Sequence, residues 1–143
     1  MKSLISVVLL LLIIMLLLAG CNVPDLSFAE QVTVRYVCGE DESTVVITDA
    51  EDVDALTAAL TEDTEAGSGN CGFTELELLF EGEDRLLSIH PATDGCNTVF
   101  YRRKGDQYYV MSSEKKKIML DTLYEYGVPL DYDYLCENMF EEE

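Results

Sequence analysis

The chain has 143 residues and a formal net charge of −19, from 9 Lys or Arg against 28 Asp or Glu. A charge of this sign and size disfavours a nucleic-acid partner, because its phosphates would be repelled. It is typical of a soluble, self-repelling surface, and it would also suit cation binding or a basic partner.

The first 21 residues read MKSLISVVLLLLIIMLLLAGC. Lys2 is the only charge before Asp25, and the run from Leu4 to Leu18 is apolar except for Ser6. A basic start, an apolar centre and small residues at the end are typical of a secretory signal peptide. The run is close to the roughly 18 residues that a membrane span needs, so an uncleaved anchor is the alternative.

This segment ends in Leu18-Ala19-Gly20-Cys21, which resembles the lipobox of bacterial lipoproteins. The resemblance covers the first 21 residues. It implies that residues 1–20 are removed and that Cys21 carries a diacylglyceryl group as the mature N-terminus. The two acyl chains would hold the protein stably in the cell membrane, facing the extracytoplasmic side.

Removal of residues 1–20 would leave 123 residues with a net charge of −20, enough for one domain with a core. Residues 21–30 contain Pro24 and have no periodicity, and we predict a short lipid-anchored tether there. Residues 31–143 are then a single domain with an acidic C-terminal tail.

Alternation of apolar and polar residues predicts the strands of this domain. The predicted strands are residues 31–37, 43–48, 74–81, 85–90, 98–102 and 107–111. They pair in sequence as three hairpins. Residues 62–72 are rich in Gly and acidic residues and are predicted to form a flexible loop.

Two helices complete the predicted fold. Asp49 is a typical N-cap for a helix over residues 50–61, and Ser112 or Ser113 caps a last helix that ends at Gly127. The order ββαββββα predicts an α+β fold, in which a curved antiparallel sheet carries two helices packed on one face.

Four cysteines follow Cys21, at positions 38, 71, 96 and 136. An even number outside the cytoplasm indicates two disulfides, and the wide spacing does not favour a zinc site. Cys71 and Cys96 flank the hairpin of residues 74–90, so we expect them to pair and to leave Cys38 with Cys136. Three pairings are possible.

A second resemblance covers about 57 residues. It rests on Cys71-Gly72-Phe73, the stretch from Pro91 to Cys96, and a closing helix that ends in Tyr126-Gly127. This arrangement is similar to small uncharacterised exported proteins of Gram-positive bacteria, and it implies no activity. Such proteins often have a further cysteine soon after the Tyr-Gly, whereas this chain has Leu130 there.

The sequence contains few residues that suggest catalysis. His90 is the only histidine, and Ser88 lacks the Gly-x-Ser-x-Gly setting of a hydrolase. A triad of Ser88, His90 and Asp94 is not favoured, because Asp94 lies in a loop. We therefore predict no catalytic residues, no cofactor and no metal ligands, with weak calcium binding by acidic loops as an alternative.

Six of the eight basic residues that follow the signal lie between positions 102 and 117. They are Arg102, Arg103, Lys104, Lys115, Lys116 and Lys117. Lysines oppose the dipole at a helix N-terminus, so helix stability does not explain them. They are either a solvated surface or a patch that binds an acidic partner, phosphate-rich wall polymer or lipid headgroups.

Tyrosines concentrate on the last predicted hairpin, as Tyr101, Tyr108 and Tyr109. Alternation should place about half of them in the core, and the others would line a groove on the open face of the sheet. The most favoured function is a non-enzymatic binding or interaction module of the cell envelope, with an envelope protein or wall polymer as its partner. The alternatives are a metal or anionic wall-polymer binder and a small envelope hydrolase.

Overall fold

The structure is a computed structural model that describes residues 23–38, 40–73, 75–103, 105–128 and 130. The predicted signal peptide (residues 1–20), Cys21, Lys104, and the tail from residue 131 with Cys136 lie outside the described residues. The elements are β1 Gln31–Cys38, β2 Asp41–Ile47, α1 Ala50–Thr61, β3 Thr64–Ala66, β4 Leu76–Glu81, β5 Leu86–Pro91, β6 Thr98–Arg102, β7 Asp106–Met111 and α2 Ser113–Glu125.

All seven strands of the described chain form one antiparallel sheet in the order β2-β1-β4-β5-β6-β7-β3. The predicted α+β class is confirmed, and the sheet has one strand more than expected. Thr64–Ala66 lies in the segment predicted to be a loop, yet it pairs with β7. This strand is acidic and mostly exposed, so it has no apolar alternation by which it could be recognised in the sequence.

The core lies on one face of the sheet. On β1 the buried side chains are Val32, Val34 and Tyr36, and on β4 they are Leu76, Leu78 and Phe80. The register pairs these residues across the two strands, for example Val34 with Leu78. Ile89, Val99, Tyr101, Tyr109 and Met111 continue the same cluster, which also contains the buried apolar side chains of both helices.

Both helices begin at the predicted caps. The Asp49 carboxylate accepts hydrogen bonds from the backbone N–H groups of Glu51 and Asp52, at 3.0 and 3.4 Å. The Ser112 hydroxyl accepts one from Lys115 at 3.3 Å. Such caps satisfy N–H groups that have no partner within the helix.

Two side-chain contacts tie the antiparallel helices together at their ends. Tyr126 Oη donates to Asp52 Oδ2 at 2.5 Å, and Lys115 Nζ lies 2.6 Å from Glu62 Oε2. Gly127 follows α2 with a φ of +73°, a conformation that glycine adopts without strain. Neither described helix is long and apolar enough to cross a membrane.

The segment predicted to be a tether packs against the domain from residue 23 onward. Pro24 and Leu26 are buried, because the core offers their apolar side chains a contact that a free tether would lack. The Glu30 N–H donates to the Glu81 carbonyl at 2.8 Å. A Cβ at Gly82 would lie 2.2 Å from the Phe28 carbonyl oxygen, so glycine permits this close approach.

Antiparallel pairing gives the sheet two distinct ends. The N-terminal end comprises residues 23–30 and the β4–β5 and β6–β7 turns. The cysteine end comprises Cys38, the segments 71–73 and 92–97, and the start of α2. The ends are separated by the length of a six-residue strand, about 20 Å.

Two tyrosines should respond in opposite ways to loss of the hydroxyl. Tyr109 Oη is buried and has no hydrogen-bond partner in the described part of the chain. We expect Tyr109→Phe to raise the free energy of unfolding by about 1 kcal/mol, since a buried unsatisfied hydroxyl costs stability. Tyr126→Phe should lower it, because the contact with Asp52 is lost. Urea denaturation of both variants checks this, and a marked loss of stability in Tyr109→Phe would contradict it.

Candidate functional site

The face of the sheet opposite the core, here called the open face, carries a row of polar and aromatic side chains. Register places Arg35 opposite Glu77, His90 opposite Phe100, and Phe100 opposite Tyr108. Their strands belong to one continuous sheet, so the row crosses from β1 to β7. These residues alternate along their strands with the buried core residues, and they therefore share one face.

The polar half of the row is a hydrogen-bonded chain. Arg35 Nη1 lies 3.2 Å from Glu77 Oε2. Ser88 Oγ donates to the other carboxylate oxygen, Glu77 Oε1, at 2.6 Å and lies 2.9 Å from His90 Nε2. Ser88 and His90 are recognisable in the sequence as candidate site residues, whereas Glu77 is not, since only the β4–β5 register brings it to them.

The order of these groups bears on what they can do. In a serine hydrolase the imidazole lies between the hydroxyl and the carboxylate, where it can take the proton of the nucleophile. Here the Ser88 hydroxyl lies between Glu77 and His90. The disfavoured third member, Asp94, instead accepts hydrogen bonds from the backbone N–H groups of Gly72 and Cys96. The arrangement therefore presents charged and hydrogen-bonding groups to a ligand.

His90 is half-buried, and its burial lowers its pKa below the ordinary value of 6.5. The negative charge of Glu77 opposes this effect, the positive charge of Arg102 adds to it, and a hydrogen bond to the Leu76 backbone opposes it. The imidazole is therefore neutral at neutral pH and can both donate and accept a hydrogen bond.

The aromatic half of the row is a cluster of rings. Phe100 lies 5.5 Å from His90 and 5.3 Å from Tyr108, measured between ring centroids. Phe73 packs 5.7 Å from both Phe100 and Tyr108. Tyr101 and Tyr109 point into the core, so alternation divides the tyrosines as predicted and leaves Tyr108 on the open face.

A second cluster lies at the cysteine end. The sulfur atoms of Cys71 and Cys96 and a carboxylate oxygen of Asp94 lie within 4.8 Å of one another. Among the described residues no disulfide is at bonding distance, and Cys71–Cys96 is the near pair. Their mutual hydrogen bond, burial and the nearby Asp94 raise the pKa of Cys96 to about 12. The expected partner cysteine of Cys38 lies outside the described residues.

Asp94 holds this cluster together. Burial would raise the pKa of its carboxyl, but hydrogen bonds from Gly72 and Cys96 outweigh that effect and lower it. The carboxylate is therefore charged at neutral pH. Lys116 Nζ donates to the carbonyls of Gly95 and Cys96, at 3.1 and 2.7 Å, and fastens the same loop to α2.

The described residues of the predicted basic patch fall into two groups. Arg102 and Arg103 lie at the N-terminal end, whereas Lys115, Lys116 and Lys117 begin α2 at the cysteine end. Lys116 is 1% exposed, and its amino group binds loop carbonyls. The strand β7 between the groups explains the separation. Lys115 pairs with Glu62 and Lys117 with Asp121, both at 2.6 Å, so each of these lysines balances the negative charge of an acidic side chain.

The titration of His90 tests the electrostatics of the open face. We expect its pKa to lie below 6.5 in NMR spectra, where a single histidine gives an unambiguous signal. Arg102→Ala should raise this pKa by removing a repelling charge, and Glu77→Gln should lower it further. A His90 pKa above 6.5, or a pKa that responds to neither variant, would contradict the burial of His90 and its interactions with Glu77 and Arg102.

The same titration affects stability. The unfolded chain binds the His90 proton more tightly than the folded protein, so the free energy of unfolding should fall as the pH drops below about 6.5. Comparing urea denaturation of the native chain and His90→Asn across this range isolates the contribution. Identical pH dependence of the two proteins would contradict the prediction.

The cysteine pair generates a further prediction. We expect an external oxidant to convert the thiols of Cys71 and Cys96 to a disulfide, with loss of two protons and two electrons. Closing this loop should add about 3 kcal/mol of stability, which Cys71→Ser would remove. Alkylation before and after reduction, followed by peptide mass mapping, is the measurement. Alkylation of both thiols without reduction would contradict the pairing.

Comparison of the chain with protein-family models, curated proteins and solved structures finds no match. The open face concentrates charged, hydrogen-bonding and aromatic groups in one row, and the cysteine end holds a cluster that stabilises a loop. The open face is accordingly the candidate binding surface.

Proposed function

We propose that the protein is a lipid-anchored, non-enzymatic binding module on the extracytoplasmic side of the cell membrane. Its anchor would be a diacylglyceryl group on Cys21, a proposal supported by the resemblance of Leu18-Ala19-Gly20-Cys21 to a lipobox. A Cys71–Cys96 disulfide, suited to that compartment, belongs to the same proposal. The partner would be an envelope protein or wall polymer.

The row on the open face is the observation that carries the proposal. It combines the half-buried rings of Phe73, Phe100 and Tyr108 with the polar chain from Arg35 to His90. Half-buried aromatic residues give contact area at a small loss of side-chain entropy, and fixed polar groups give orientation. The geometry supports recognition better than hydrolysis, because the Ser88 hydroxyl lies between Glu77 and His90, whereas a hydrolase needs the imidazole in the middle position.

Photo-crosslinking on intact cells tests the binding surface. Benzoylphenylalanine at Tyr108 reports on the open face, and the same probe at Tyr124, 65% exposed on α2, is the matched control. We expect a single partner adduct at position 108 only. Phe100→Ala should weaken the adduct at least about tenfold, since aromatic anchors commonly contribute more than 1.4 kcal/mol to binding. Equal adducts at both positions, or none, would contradict the proposal.

Metal binding is the second candidate function, and the cluster at the cysteine end is the observation that favours it. Cys71, Cys96 and Asp94 each offer one ligand atom within 4.8 Å of the others. Thiolates and a carboxylate would suit zinc, and the described part of the chain places these three ligands together without a fourth. Free thiols that retain zinc in native mass spectrometry would favour this function, whereas a disulfide would exclude these sulfur ligands.

A further inference from the structure

We propose that the N-terminal end of the sheet lies against the bilayer and that Leu86 and Arg103 contact phospholipid headgroups there. The inference rests on the proposed lipid anchor at Cys21. It assigns an orientation to the anchored domain and a lipid contact to two residues that the binding row on the open face does not use.

The short chain segment between Cys21 and the folded domain limits how far the N-terminal end can lie from the membrane. Only Asn22 separates Cys21 from Val23, so their Cα atoms are at most about 7 Å apart. Pro24 and Leu26 are buried, and Asp25 Oδ2 lies 3.0 Å from Arg85 Nη1. A lipid on Cys21 would therefore hold the folded domain, without an intervening spacer, close to the headgroups.

A crevice of about 410 Å³ opens at this end. Phe28 lines it from the N-terminal segment, and Arg85 and Leu86 line it from the β4–β5 turn and the start of β5. Arg102 and Arg103 line it from the end of β6 and the turn that follows. Leu86 is 63% exposed and presents an apolar side chain to solvent at this crevice. The Arg85 guanidinium stacks over Phe28 at 4.1 Å and shapes one wall.

The charges around the crevice distinguish Arg103 from its neighbours. Arg85 pairs with Asp25 and Arg102 pairs with Asp106, each at 3.0 Å. The exposed side chain of Arg103 has no acidic partner within the described part of the chain. A guanidinium beside an exposed leucine fits the boundary where lipid phosphates meet acyl chains.

Net charge does not drive this contact, because Asp25, Asp84 and Asp106 balance the three arginines locally. The anchor supplies the driving force, since it makes the encounter with lipid intramolecular and raises the effective concentration of headgroups. The cysteine end then points away from the membrane, about 20 Å farther out. Without its lipid the acidic domain should not bind vesicles.

The test uses the mature protein, purified from the membranes of cells that express the full chain and reconstituted in vesicles that contain phosphatidylglycerol. Benzoylphenylalanine replaces Leu86 in one sample and Val37 in another. Val37 is the matched control because it is also an exposed apolar strand residue, 39% exposed, but lies at the cysteine end. After irradiation, mass spectrometry measures the lipid adduct at each position and the acyl group on Cys21.

We expect at least about tenfold more lipid adduct at position 86 than at position 37, given their separation of about 20 Å. Arg103→Ala should lower the adduct at position 86 about fivefold, the factor that corresponds to the roughly 1 kcal/mol gained by one basic residue near an anionic surface. Lys117→Ala, which removes an exposed charge at the cysteine end, should leave it unchanged.

Three results would overturn the inference in distinguishable ways. An acyl group on Cys21 with equal adducts at positions 86 and 37 would exclude the orientation and leave the anchor intact. Unequal adducts that do not respond to Arg103→Ala would exclude the Arg103 contact. Absence of the acyl group from Cys21 would remove the anchored function together with this inference.

Discussion

The rest of the structure depends on burial of one face of the antiparallel sheet. In β1 and β4 every second side chain enters a single hydrophobic cluster with the helices, as Val34 and Leu78 do from these adjacent strands. Slipping any strand by one residue would turn its apolar set to solvent, so the core determines the register. The same register brings Glu77, Ser88 and His90 together on the other face. The candidate binding surface is thus a consequence of core packing.

Antiparallel pairing also separates the molecule into two chemically different ends. The N-terminal end contains the packed segment from residue 23 and the arginine-lined crevice, while the other end contains the Cys71–Cys96 pair and the loop held by Lys116. The open face extends between them. If the domain is anchored, its N-terminal end would face the membrane and the open face would remain accessible from the side.

Local patterns were sufficient for most of the fold but for little of the site. Asp49 could be recognised as a cap because capping depends on neighbouring residues. Thr64–Ala66 could not be recognised as a strand, since it is stabilised by pairing with β7, which is distant in the sequence. Glu77 was uninformative until the register placed it beside Ser88, and Lys116 resembled its exposed neighbours. The nearness of Cys71 and Cys96 was predictable because both flank one hairpin.

The order of the strands has a consequence for self-association. One edge of the sheet is β3, which is only three residues long. The other edge is β2, whose seven residues have no neighbouring strand on their outer side within the described part of the chain and could pair with another chain. Val46 is exposed on that strand and would favour such pairing. The high negative charge of the domain opposes it, since two copies repel each other as they approach. The negative charge of this protein therefore opposes aggregation through the β2 edge. This repulsion weakens wherever acid pH or bound cations neutralise the carboxylates.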